Sequence, residues 1–220
     1  MARGFGATLG SGTTDLITTL TAVTLGTQYS LAIWANENGA GGGNLGRMID
    51  RAASPNWNRT GIDYRFTDQQ WSVELGAIWS IATPSAGWHR FVITTDNTAA
   101  GNVPIIYMDG TTPAVTTVTA SSGVYTPLTT AFLLGNSVAL NRNWDGLLAE
   151  FGAWNRILTP DEALALSNGF TPKSFMNGLL TGYSMLRENW GTLGPATISG
   201  TAVQSHPRTI YPGRRRLAMA

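Results

Sequence analysis

"GLLAEFGAWNRILTPDEALALSNG", Gly146 to Gly169, is the point where a chain of strand-like runs turns into a helix, and its reading decides the fold. Leu147, Ala149, Phe151 and Ala153 alternate with Leu148, Glu150, Gly152 and Trp154, the period of two of a strand with one face buried. The strand is expected to end near Trp154. Thr159-Pro160-Asp161-Glu162 then supplies an N-cap hydroxyl, a proline whose missing N–H costs nothing in the first turn, and a Glu three residues after the cap. This capping box, the helix formers Ala163 to Leu166 and the left-handed stop Asn168-Gly169 before Pro172 predict one short helix.

Working outward, strand-like runs recur between turn residues. They are "YSLAIWAN" (Tyr29 to Asn36), "WSVELGAIWS" (Trp71 to Ser80), "HRFVITTD" (His89 to Asp96), "VPIIYMDG" (Val103 to Gly110) and "AFLLGN" (Ala131 to Asn136). No helical pattern separates them, as a parallel α/β fold would require. Their spacing, the Asp109-Gly110 turn and the glycine-rich "NGAGGGNLG" predict an all-β protein of antiparallel sheets stacked as a sandwich. No repeat long enough for a propeller or solenoid is visible.

Composition narrows the function. Charged residues make up only 12% of the 220, about half the usual share, and the net charge is +1, so no global field draws the chain to nucleic acid or acidic membranes. The absence of cysteine removes disulfide frameworks, thiol catalysis and cysteine zinc sites. No apolar leader and no long apolar span occurs, so the chain is expected to be made without a signal peptide and to be soluble. Asn58-Arg59-Thr60 is then a chance sequon.

"GWHRFVITTD", "IIYMDG", "AFLLGN" and "WDGLLAEFGAWNRILTPDEALAL", in that order, resemble the signature of the concanavalin A-like lectin and glucanase superfamily, in its laminin-G or pentraxin-like branch. The resemblance spans roughly Phe5 to Leu186. It implies a jelly-roll sandwich whose last core strand runs into one short helix, with "GYSMLREN" (Gly182 to Asn189) as a late strand returning near the N-terminal one. The domain is placed at residues 1–189.

The glucanase side of that superfamily carries carboxylates at alternate positions of one strand, because acid and nucleophile must flank one bond about 5 Å apart. Here Glu150 and Glu74 each stand alone, which argues for a non-enzyme with no cofactor. The histidines, His89 and His206, come with no G-x-S-x-G, so serine hydrolase chemistry is disfavoured. Gly41, Gly43 and Gly46 satisfy G-x-G-x-x-G with Asp63 downstream, but "RMIDRAASPNWNR" is no helix opening, so a surface loop is expected. Relatives often bind calcium; Asn136, Asn141, Asn143 and Asp145 are the candidates here, but one carboxylate among them favours turn chemistry and no metal. Trp57, Trp144 and Trp154 flank polar loops and are candidate sugar-stacking residues.

After the sandwich, residues 190–220 read as an extended C-terminal arm ending in "HPRTIYPGRRRLAMA". This ending is similar to tails of phage and prophage virion structural proteins. It implies a capsid decoration or cement protein on the virion surface, docking to the major capsid protein or other virion subunits and self-associating, with a homotrimer favoured. Ile210 and Tyr211 would be apolar anchors, and Arg214, Arg215 and Arg216 would pair with carboxylates of a protein neighbour. One short basic cluster falls short of a nucleic-acid-binding face, and no membrane partner is implied. The alternative is a carbohydrate-binding module for host attachment, with a surface glycan as partner. A glycan-active enzyme is a third reading, with the least support.

Overall fold

A computed structural model of the chain describes residues 2–6, 14–19, 22–51, 61–65, 70–74, 77–120, 127, 129–183, 196–205 and 208–210, with backbone alone at 61–65 and 70–74. In chain order the first strands are β1 (Ala2–Phe5), β2 (Leu16–Thr19), β3 (Val23–Thr24), β4 (Gln28–Gly39), β5 (Leu45–Asp50), β6 (Gly61–Arg65), β7 (Gln70–Glu74) and β8 (Ile78–Ala82). There follow β9 (Trp88–Asp96), β10 (Ile105–Met108), β11 (Thr116–Thr119), β12 (Thr129–Thr130), β13 (Leu133–Leu134), β14 (Asp145–Trp154) and the helix α1 (Pro160–Ser167). The last strands are β15 (Leu179–Tyr183), β16 (Ala196–Ser199) and β17 (Ala202–Gln204).

The strands make the antiparallel sandwich that the alternation predicts. A seven-stranded sheet runs β10-β9-β4-β14-β1-β17, with β15 also on β14, and an eight-stranded sheet runs β11-β8-β7-β6-β5-β13-β2-β16. Between them lies the main core, including Phe5, Leu31, Ile33, Phe91, Ile93, Trp79, Phe132, Leu148 and Phe151. The outer face of the seven-stranded sheet carries a second apolar cluster, in which Ala32, Val92, Tyr107 and Trp154 pack against Leu158, Ala163 and Leu166 of the helical segment. This packing explains the single helix. Strand β14, expected to bury one face, is buried on both: the helix lies over the neighbouring β9 and β10, and Pro172 of the segment after it closes on β14 at Gly152.

The helix starts as its sequence dictates. Thr159 accepts from the Glu162 N–H at 3.3 Å, and the Glu162 carboxylate accepts from the Thr159 N–H at 2.9 Å. The Glu162 carboxylate also takes both Arg156 guanidinium nitrogens, Nη1 and Nη2, at 2.7 Å. At the other end Gly169 takes φ +105°, the left-handed stop.

Strand β14 is broken by a bulge. Its pairing with β4 shifts between Ala149 and Gly152, and Glu150 adopts φ +48°. On the other edge of β14, β1 pairs with residues 146–148 and β15 with Phe151–Trp154, end to end along one side. The late strand thus begins at Leu179, and of "GYSMLREN" only Gly182 and Tyr183 are described. Residues 196–199 and 202–204 of the segment assigned to the arm are strands: β16 pairs with β2 in one sheet and β17 with β1 in the other. Beyond them Ile210 forms a parallel bridge with Phe170. Gly42–Asn44 is a 3-10 turn leading directly into β5, so the glycine triplet Gly41, Gly43 and Gly46 opens no helix, as the loop reading expects.

Candidate functional site

Trp144 and Trp154 are not a sugar platform: both are fully buried, at 0% exposure. Trp144 belongs to the main core, and Trp154 lies in the outer cluster with its indole N–H donated to the Phe175 carbonyl at 2.7 Å. An indole flanked by polar residues in sequence was expected at the surface, but the helix and the segment after it close over this one. Trp57 lies outside the described residues, as do Tyr211, Arg214, Arg215, Arg216 and His206. Of the docking residues only Ile210 is described; its N–H donates to Gly169 at 2.8 Å and its carbonyl accepts from Thr171 at 3.2 Å.

The structure brings together a different aromatic pair. Side chains alternate along β4 and β9, so Trp34, Asn36, Trp88 and Arg90 project on the outer face, beside the area that α1 covers. Trp34 and Trp88 are partly exposed and meet edge to face, with centroids 6.5 Å apart at 84°. Asn36, also partly exposed, is the register partner of Trp88. Partly exposed indoles beside an amide suit contact with the apolar face of a pyranose ring. The sequence marked both tryptophans only as strand residues. The signal lay in their alternation: Trp34 and Trp88 fall on the same face of the adjacent strands β4 and β9, as diagonal neighbours, Trp34 opposite Arg90 and Trp88 opposite Asn36.

The platform is held from behind. Arg90 is buried, with its guanidinium 5.8 Å from the Trp34 ring centre and its Nη1 donating to the Glu150 carbonyl at 2.6 Å. That carbonyl belongs to the bulge of β14, so the arginine bonds a group the ladder leaves aside. Burial draws the Arg90 pKa down to about 10, opposed by the charge of Glu150. From the side, the Gly169 backbone closes on Trp34: a Cβ there would stand 3.5 Å from Cζ2 of Trp34 and 3.6 Å from the Arg208 carbonyl.

Glu150 is buried at 1% exposure, and burial pushes its carboxyl up while Arg90 pulls it down. Among the described residues, the charge that acts on it most strongly is the Arg90 guanidinium. At the loop rim, Asn136 donates to the Asp15 carbonyl at 3.2 Å and accepts from the N–H groups of Ser137 and Arg142 at 2.9 and 3.1 Å. Asn141 accepts from the Ser137 hydroxyl at 3.0 Å, and Asn143 is buried. The bonds within residues 136–142 are turn bonds, and the one to Asp15 ties this loop to the segment before β2. Asp145 stands near Glu37, whose carboxyl is raised by burial and then by the Asp145 charge. No group of three or more acidic or histidine side chains fit to hold a metal occurs among the described residues. Nor, among them, is any helix long and apolar enough to cross a membrane.

Behind Trp88, His89 is buried between two acceptors: its Nδ1 is 2.5 Å from Asp109 Oδ2 and its Nε2 is 2.6 Å from the Ser85 carbonyl. Asp109 Oδ1 accepts the Arg90 N–H at 2.9 Å. Hydrogen bonding to Asp109 raises the His89 pKa, and burial opposes it.

Known structures share this architecture. The heptameric pentraxin of Limulus polyphemus aligns over 76% of this chain and 81% of its own at 11% identity, with a TM-score of 0.55. A putative carbohydrate-binding protein of Bacteroides ovatus aligns over 93% of this chain and 59% of its own, at 12% identity and a TM-score of 0.65. Identities this low establish the fold alone. No curated protein matches the sequence. Residues 10–163, well over half of the chain, match the family model for this architecture, and the chain belongs to the concanavalin A-like lectin/glucanases superfamily.

Proposed function

We propose that the protein is a non-enzymatic, lectin-like recognition module that stacks a sugar ring on Trp34 and Trp88. The observation that carries this reading is the partly exposed edge-to-face pair, fixed by Arg90 and Gly169 and bordered by Asn36. The lectin-containing superfamily supports it, as does the fold shared with a putative carbohydrate-binding protein. Binding of a glycan array by the purified chain tests it. Replacing either tryptophan with Ala should weaken binding about tenfold, the loss of roughly 1.4 kcal/mol of stacking. Unchanged affinity in the double variant would refute the platform. Incubation with β-glucans should release no reducing ends, and turnover abolished by Glu150→Gln would refute the non-enzymatic reading.

A second reading, a virion decoration protein, is favoured by a different observation. Residues 97–141 carry one charged side chain, Asp109, and it is engaged by His89 and the Arg90 N–H. The same stretch exposes Val103 at 53%, Ile105 at 51% and Val138 at 66%. Uncharged surface of this kind suits contact with capsid subunits or further copies, a homotrimer in the simplest case. Light scattering at micromolar concentration and binding to purified particles test it: a monomer that leaves particles bare refutes it.

A further inference from the structure

We propose that His89 is a positioning residue that, in its doubly protonated form, locks the Trp34–Trp88 platform, so that the platform loosens as pH rises. The inference rests on the recognition reading for what the platform binds, but not for the lock itself. A carbonyl oxygen only accepts, so His89 Nε2 must carry a proton toward Ser85. An ionised carboxylate oxygen also only accepts, so Nδ1 must carry one toward Asp109. Two protons make an imidazolium.

The contacts then lead to both tryptophans. His89 follows Trp88 directly and ties the 85–88 segment to the turn after β10 through Ser85. On the other side of that turn, the Gly110 N–H donates to Ser167 Oγ at 3.1 Å, and Gly110 packs on Asn168, where a Cβ would fall 2.4 Å from Oδ1. The next residue, Gly169, backs Trp34. One histidine thus closes a ring of contacts from Trp88 through Asp109, Gly110 and Ser167 to Trp34.

Among the described residues, Asp109 is the charge that acts on His89. Asp109 faces the ring from the turn. On β4 its register partner is the uncharged Ala35, with Glu37 two residues further on the same face. Phe91 and Met108 continue its face of β9 and β10, and the Arg90 guanidinium lies on the opposite face. The end of α1 offers only Ser167 and Asn168. When His89 loses a proton, one of its two acceptors faces a ring nitrogen without hydrogen.

The test labels the chain with 5-fluorotryptophan, assigns the Trp88 fluorine resonance with W88F, and follows it with the His89 ring nitrogens by NMR from pH 5 to 9. Both should titrate together, with a midpoint above the ordinary 6.5 for histidine, and the Trp88 signal should be flat in H89Q. D109N, which keeps a residue tolerant of the left-handed φ of +49°, should lower the midpoint and guards against misfolding of the first variant. Laminarihexaose, as the glycan probe, should bind the wild type at least threefold more weakly at pH 9 than at pH 6, with no change in H89Q. A His89 midpoint at or below 6.5, or a Trp88 signal that ignores it, overturns the lock. Binding that is flat with pH while the fluorine signal moves overturns its link to recognition. If the probe binds at no pH, glycan recognition by this platform loses its support while the fluorine titration alone decides the lock.

Discussion

The ring of Phe5 lies where a side chain on Gly135 would be: a Cβ at that position would come within 2.1 Å of Phe5 Cε1. Gly135 has φ +82° and its carbonyl accepts the Trp144 N–H at 2.8 Å, joining the strand β13 to the loop before β14. The N-terminal strand is therefore seated in the core by the absence of a side chain. Gly135→Ala combines left-handed strain with overpacking and should destabilise by about 2–4 kcal/mol. Chemical denaturation checks it; a loss under 1 kcal/mol would mean that Phe5 moves aside freely.

Thr159→Ala removes the hydroxyl half of the capping box while leaving Arg156 and Glu162 paired. The expected loss is about 1 kcal/mol, or about 2–4 °C in melting temperature for a domain of this size. Thr159→Ser should recover most of it. If both variants melt alike and below the wild type, the threonine methyl rather than the cap is responsible.

Glu162 gives a pH signature. Its hydrogen bond from Arg156 lowers its pKa from 4.5 to about 2, so the stability it contributes is present above about 4.5 and is lost as pH falls toward 2. Glu162→Gln should be less stable than the wild type at pH 7 and equal to it near pH 2. Because the pair is partly exposed, molar salt should shrink the difference at neutral pH. A gap that persists at pH 2 would mean that the glutamate acts through packing.

Deleting residues 206–220 removes the segment that bridges Phe170. Two backbone bonds are lost, Ile210 to Gly169 and Thr171 to Ile210, at a cost of about 1–3 kcal/mol, and the sandwich should stay folded. Hydrogen exchange should find the Thr171 amide newly exposed. If the arm docks the protein on a particle, the same deletion weakens attachment, and the attachment of the full chain is salt-sensitive. Equal attachment by the truncated chain would move the interface to the sandwich surface.

The sequence by itself determined the elements whose causes are local. The Thr159–Glu162 box and the Asn168-Gly169 stop depend on residues within a few positions of one another, and each appears in the structure where its chemistry places it, whereas the alternation of residues 147–154 marked a strand but not its burial on both faces. The bulge at Glu150 was not legible, because it appears only when β14 is laid against β4 and the partner strand is one step out of phase. Only the tertiary structure decided which tryptophans face water. Trp154 and Trp34 both project on the outer face of the same sheet, yet Trp154 is buried beneath Leu158, Ala163 and Leu166 while Trp34 lies beyond that cover and stays partly exposed. Period-two alternation assigns a side chain to a face but carries no information about what is later packed against that face. That is settled by where a helix some ten residues downstream comes to rest, which for a candidate binding surface is the difference between core and site.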